Sequence, residues 1–481
     1  MIKYIVAAIL LALIILAVIC VIRAIRIKNK PEKADPVITF SKEEADYYAE
    51  TLSAMIRVPT VSKRGNNDLT EFNKLNEVLK TRFPLIFEKL ERTEIKGNLL
   101  FRWKGKSSDK NGILLMGHRD VVPADENTWT HDPFSGLIEN GLIHGRGAMD
   151  CKCTVMAEMQ AVEELLKEGF EPERDVYLSS SVNEEVSGGG AKLIVEHLRE
   201  NGIRLDAVID EGGAIVTGLL PGLSCWTAGV GVTEKGYVDV KIKAKGSGGH
   251  SSTPPKGTPI ARLSAFITEM EKKHPFKCEL SDTMEEMLKG LAPVLPFALR
   301  LPLANLWLFK GALVHLAPKF SSYAEAFMAT TFAFTMCEGS SAPNVIPQEA
   351  YVICNMRPSH HENMERSLAV MKKYADKYDL ELEVIFGRNA SNVTDYNSEE
   401  FKYIRKCVKD CYPDSVCVPY LMTGGTDCRE YEAVSDNCLR FAPIKLSQEQ
   451  IEAMHSANEN VGVNELAESV KFYKYYLTNH G

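Results

Sequence analysis

The chain has 481 residues, 45% of them apolar and 25% charged, and a formal net charge of −8. That length exceeds one ordinary hydrophobic core and predicts two domains of globular composition. The acidic balance excludes a nucleic-acid binder with a basic face, and it says little about a substrate because a mildly acidic surface mainly keeps a protein soluble. The twelve cysteines show neither a Cys-x-x-Cys pair nor a disulfide framework and read as reduced structural thiols.

Tyr4 to Ile22 is an uninterrupted apolar run between Lys3 and the pair Arg23 and Arg26. At helical rise it reaches about 28 Å, close to the ~30 Å hydrocarbon core. A secretory signal has a shorter apolar region, about 7–15 residues, with a small-residue cleavage site. Here the basic segment RAIRIKNK follows instead. Residues 1–26 are therefore predicted to be a retained, single-pass membrane anchor. Arg23, Arg26, Lys28, Lys30 and Lys33 place the following chain on the cytoplasmic side. The sequons at Asn389 and Asn392 point to the opposite side, so the orientation is open.

Residues 27–40, charged and holding Pro31 and Pro36, read as a linker. From 41 to 230, helical and strand-like segments alternate. Glu43 to Arg57 has helical spacing, with Ser41 as N-cap and Glu44 as its capping-box partner. Ile113 to Met116, Val176 to Leu178 and Ala207 to Ile209 are short apolar runs followed by polar residues, and Thr154 to Lys167 and Ala191 to Glu200 are amphipathic helices. This alternation predicts an α/β fold, a mostly parallel sheet covered by helices, with ligands gathered at the carboxyl ends of the strands. Between 231 and 394 the texture changes. Tyr237 to Ala244 and Tyr351 to Met356 read as strands and Pro259 to Lys273 as a helix, which suits a smaller α+β domain. Leu291 to Leu316 is unusually apolar. Its three prolines with Arg300 and Lys310 make it a poor membrane span, and it reads as helical packing or as an apolar wall over the site. The β–α pattern returns over 395–481, so the second domain is inserted into the first.

Five stations end these strands or loops with a potential metal ligand: His118 in GHRDVVP, Asp150 in HGRGAMDCK, Glu184–Glu185, Asp210–Glu211, and His455 in MHSANENV. Singly, each has a structural reading, as a core histidine, a solvated glutamate pair or a cap. Together, two imidazoles and several carboxylates suit zinc. One zinc needs only three protein ligands and a water, so five stations point to two ions, about 3.5–4 Å apart, sharing a carboxylate.

The series GHRDVVP, GRGAMDCK, NEEVSGGG, DEGG, GGHSSTPP, SAPNVIP and GGTDCR, followed by the late histidine, resembles the zinc aminoacylase and carboxypeptidase family. NLWLF at 305–309 and the apolar insert resemble its carboxypeptidase S and N-fatty-acyl-amino-acid hydrolase branch. The resemblance implies a hydrolase with two Zn2+ per subunit that cleaves an amide or peptide bond next to a free carboxylate, in a small-molecule or short-peptide substrate. It implies a homodimer, with the inserted domain as lid and dimerisation domain. His118 would hold one zinc with an acid of Asp210–Glu211, Asp210 being favoured. His455 and Glu185 would hold the other, and Asp150 would bridge the two ions. Asp120 would orient His118 through a hydrogen bond. Glu184 would be the general base toward the water bridging the metals. His250 would reach a partner subunit's site and steady the oxyanion. Asn344, Arg357, Gly424, Gly425 and Thr426 would hold the substrate, Arg357 through its carboxylate. A narrow-specificity biosynthetic deacylase and an inactive binding protein of the same fold are the competing readings.

Overall fold

The computed structural model describes residues 1–480 apart from 30, 32, 33, 108 and 219. Lys30 and Lys33, counted above toward membrane orientation, lie outside the described residues, as does Gly481 at the end of the 395–481 segment. The apolar run forms one helix, Ile2–Arg26, in which only Cys20 and Ala24 are buried. The next helix, Lys42–Ile56, starts at the expected capping box. Ser41 Oγ accepts the Glu44 N–H at 3.2 Å, and the Glu44 carboxylate accepts the Ser41 N–H at 2.7 Å.

The larger sheet has ten strands. Its centre is a parallel run of four, ordered Val176–Ser181, Gly112–His118, Leu205–Asp210 and Cys438–Arg440. Antiparallel pairs flank it: Glu91–Ile95 and Asn98–Trp103 on one side, Trp226–Glu234 and Ile215–Val216 on the other. The sheet is therefore mixed rather than parallel throughout. Strand residues alternate between two buried faces, which is why these strands read as continuous apolar runs. Ile113 and Leu115 pack toward one face with helices Lys152–Lys167 and Val463–Asn479. Leu114 and Met116 pack toward the other with helix Gly190–Glu200. Gly117 lets the helix from Lys152 approach closely, because a Cβ there would lie 3.0 Å from Val155 Cγ2 and 3.3 Å from Cys151 Sγ.

A second, four-stranded antiparallel sheet is ordered Thr331–Glu338, Glu349–Arg357, Tyr237–Lys245 and Glu381–Arg388. Val238, Val240, Ile242 and Ala244 face helices Pro259–Lys273 and Met364–Lys377, while alternate residues face outward. The apolar segment after Leu291 folds as short helices, Phe297–Leu303, Leu306–Leu316 and Ser322–Met328. These pack with helix Asp282–Leu291 onto strand Ser415–Met422.

Candidate active site

Register brings the first stations together. His118 is the last residue of its strand and pairs with Ser181, whose strand runs on into the turn Glu184–Val186. Asp210 ends the next strand and pairs with Arg440. The stations thus share one edge of the central run, at its carboxyl end, where an α/β sheet binds ligands.

Asp150 is the hub. Its two oxygens lie 2.9 Å from His118 Nε2 and 2.9 Å from His455 Nε2, and Glu185 Oε2 lies 3.1 Å from that same His455 nitrogen. Two groups of potential ligand atoms, each within 4.8 Å of one another, share it: His118, Asp150 and Cys151, and Asp150, Glu185 and His455. His118 Nδ1 lies 2.9 Å from the Asp120 main-chain oxygen, which can only accept. Nδ1 therefore carries a proton, and Nε2 is the ring atom that faces the cluster. The Cys151 thiol is tied to the backbone of His118, and burial pushes its pKa up, so it is packing rather than a reactive thiolate.

Three buried acids brace the loops by accepting main-chain N–H groups. Asp120 accepts from Glu184 and Glu185, both at 3.1 Å, while its carboxylate stands 3.4 Å from His118 Nδ1. The expected contact between Asp120 and His118 is thus made mainly by the backbone oxygen, and the side chain fixes the glutamate turn. Glu459 accepts from Gly147, Met149 and Asp150 at 2.8–3.1 Å and pairs with Arg146 at 2.7 Å. Asp210 accepts from Glu211 at 2.9 Å and from Cys428 at 2.8 Å. The Glu211 and Glu184 carboxylates have no hydrogen-bond partner among the described residues.

Burial, with the neighbouring carboxylates, pushes Glu184, Glu185 and Glu211 up. It raises Asp210 to about 7 and Asp427 to about 6. Asp150 is held below the usual carboxylate range because its bonds to the two imidazoles outweigh burial, and the bonds of His455 to Asp150 and Glu185 lift that imidazole to about 10. Among the described residues no lysine or arginine pairs with Asp150, Glu184, Glu185 or Glu211. So many buried acids beside two imidazoles are costly to keep charged unless cations sit among them. Mixed nitrogen and oxygen donors of this kind fit divalent zinc.

The remaining candidates lie elsewhere. His250 is exposed in a two-stranded ribbon, pairing with Val345, and Asn344 adjoins it through its main-chain oxygen, which accepts the Ser251 N–H at 3.1 Å. His250 Nδ1 accepts the Ser252 N–H at 3.1 Å, so its Nε2–H points outward. Neither residue hydrogen-bonds to the cluster. Arg357 ends its strand, stacks 4.5 Å from the Tyr237 ring centroid and donates to Asn355. Thr426 caps the turn that holds Asp427 and donates to the buried Glu234 at 2.9 Å, and Gly424 and Gly425 precede it. Sequence reasoning missed Glu459 and passed over Asp427. Glu459, four residues after His455 in MHSANENV, carried only its nearness as a signal. Asp427 accepts from Ser181 Oγ at 2.5 Å.

A mixed α/β sheet with a His and carboxylate cluster at its strand ends defines a metal-dependent hydrolase. The chain matches the family model of Peptidase family M20/M25/M40 over residues 114–479 and belongs to that family. It is 32% identical over 448 residues to an N-fatty-acyl-amino acid synthase/hydrolase of Mus musculus, covering 92% of this chain and 89% of that protein. It is 28% identical to carboxypeptidase S of Saccharomyces cerevisiae, covering 89% and 83%. Among solved structures it is similar to an M20 family metallo-carboxypeptidase from Sulfolobus solfataricus, with a TM-score of 0.68 at 20% identity, covering 89% of this chain and 98% of that one.

Proposed function

We propose that the chain is a membrane-anchored, two-zinc hydrolase that cleaves the amide bond of an N-acyl amino acid or short peptide bearing a free carboxylate. The observation that carries this reading is Asp150, each of whose oxygens faces a different imidazole, with two unbonded carboxylates, Glu184 and Glu211, beside it. His118 and Glu211 would hold one cation, and His455 and Glu185 the other, with Asp150 shared. Glu211 is a better fit than Asp210, which the sequence favoured, because both Asp210 oxygens already accept main-chain N–H groups. Cations bound there supply Lewis acidity toward the scissile carbonyl and a lowered water pKa.

Glu184 takes the proton of the attacking water and passes it to the amine as the C–N bond breaks. Its position suits that role, since it lies beside the cluster yet is not engaged by it. The outward Nε2–H of His250 steadies the oxyanion in a second copy of the chain, which makes the enzyme a homodimer. Arg357 holds the substrate carboxylate, with Asn344 and the Gly424–Gly425–Thr426 loop lining the approach. The inserted domain, over about residues 231–394, then serves as lid and dimer contact. The 25-residue length and exposed apolar surface of Ile2–Arg26 support its reading as the anchor.

The test is hydrolysis by the detergent-solubilised full chain, with and without chelator, of N-acyl amino acids of increasing chain length beside blocked dipeptides. Preference for long acyl chains with loss of activity on chelation is the expected result. Chelator-insensitive hydrolysis, or none of either class, overturns the reading.

A further inference from the structure

None of the chemistry above uses residues 297–320. Helix Phe297–Leu303 and the helical stretch 306–319 that follows it meet at 108°. At the bend, the fully buried Asn305 donates through its amide to Leu301 O at 2.9 Å and to Cys20 O of the first helix at 3.1 Å. Asn29 N donates to Pro293 O at 3.1 Å, and Ile27 packs on the apolar cluster beneath. The first helix is therefore docked against this elbow at Cys20 and Ala24, its two buried residues, and is exposed over most of its length.

The contact fixes a depth. Cys20 lies a few residues before Arg23, so at helical rise the elbow meets the first helix about 4–5 Å inside the end of its apolar run. On the two arms of the elbow Phe297, Leu299, Trp307, Leu308, Leu316 and Phe320 are exposed, Trp307 being 56% and Phe320 85% exposed. Residues 297–320 contain no Asp or Glu. Two of its basic groups are engaged elsewhere, while Lys319 is exposed and bonded to His315 at 2.9 Å. Arg300 is buried and turns back onto Leu295 O, and Lys310 pairs with Glu285 at 2.8 Å. Exposed large apolar side chains gathered on one short segment, a tryptophan among them, are unfavourable in water and match the interfacial layer of a bilayer. The apolar cluster below the elbow includes Val418 and Leu421, whose strand leads into the Gly424–Thr426 loop.

We propose that the bent helical pair is a second membrane contact, lying in the lipid interface with its outward face among the acyl chains. The proposal rests on the reading of the first helix as a retained anchor. The test uses the full chain in phosphatidylcholine–phosphatidylserine vesicles, comparing wild type with Trp307→Phe. Quenching by acyl-brominated lipid is expected to remove part of the wild-type tryptophan emission, and that loss is expected to vanish in Trp307→Phe. Aqueous iodide is expected to leave the Trp307 contribution intact. Trp307 quenched by iodide but not by brominated lipid puts the face in water and overturns the proposal. Trp307 shielded from both quenchers makes it a protein contact and also overturns it. Alkaline carbonate separates the two readings: release of the chain from the vesicles removes the anchor and the elbow together, whereas retention with Trp307 in water removes the elbow alone.

Discussion

The carboxylate cluster and the His250 ribbon are built in opposite ways. Around the cluster, Asp120, Glu459 and Asp210 spend their oxygens on main-chain N–H groups, and each thereby fixes a neighbour that faces the centre. His250 and Asn344 are exposed and bonded only within their own ribbon. The first region is held in place by bonds within the chain. The second, on the reading proposed above, is completed by contact with another surface.

Glu184→Gln gives the largest expected effect, a fall in kcat of about 10²–10⁴-fold with zinc content by mass spectrometry unchanged. Substantial residual turnover would move the base elsewhere. His250→Ala is expected to lower kcat by about 10²–10³-fold without changing Tm or metal content. Mixing it with Glu184→Gln should restore part of the activity, and an absence of rescue would remove the shared site. Glu459→Gln keeps the shape of the brace but weakens it as an acceptor. Zinc affinity is expected to drop about 10–100-fold, with turnover recovered at raised zinc. Unchanged affinity would make the brace purely structural.

The smallest effect concerns Lys235, which stands between the two sheets and donates to Ala326 O at 3.0 Å and Ala329 O at 2.7 Å. Burial lowers its pKa to about 7 from the ordinary 10.5. Between those values the unfolded chain binds the proton and the folded chain does not, so this group makes stability rise with pH across that window. Tm measured from pH 7 to 10 is expected to rise in wild type relative to Lys235→Met. A constant difference would mean that the lysine stays charged when folded.

His118, Glu184, Glu185 and Asp210 were legible because each follows an apolar run too short for a helix, and such runs end at the binding edge of a sheet. The Ser41–Glu44 box was legible because its partners are local. Asp150 follows no regular strand; the sequence offered it as a potential ligand in HGRGAMDCK, and the resemblance to a known family alone gave it the bridging role. The preference proposed above for Glu211 over Asp210 rests on which carboxylate the backbone engages, and the Cys428 N–H that engages Asp210 lies 218 residues away. The strand Cys438–Arg440 is too short to show a period, yet it ends the parallel run and joins it to the antiparallel strand Trp226–Glu234. The prolines of 291–316 announced breaks but not the direction in which the helices would turn.

The pairing of Arg146 with Glu459 joins residues 313 positions apart. A ribosome adding about 5–20 residues per second needs roughly 15–60 s to cover that distance. During this interval the Asp150 loop has been made but its brace has not, and His455 is also still missing. The order of synthesis thus makes the closing of the His and carboxylate cluster one of the last events in the birth of the protein. A chain that stops before His455 lacks both the Glu459 brace and the second imidazole facing Asp150.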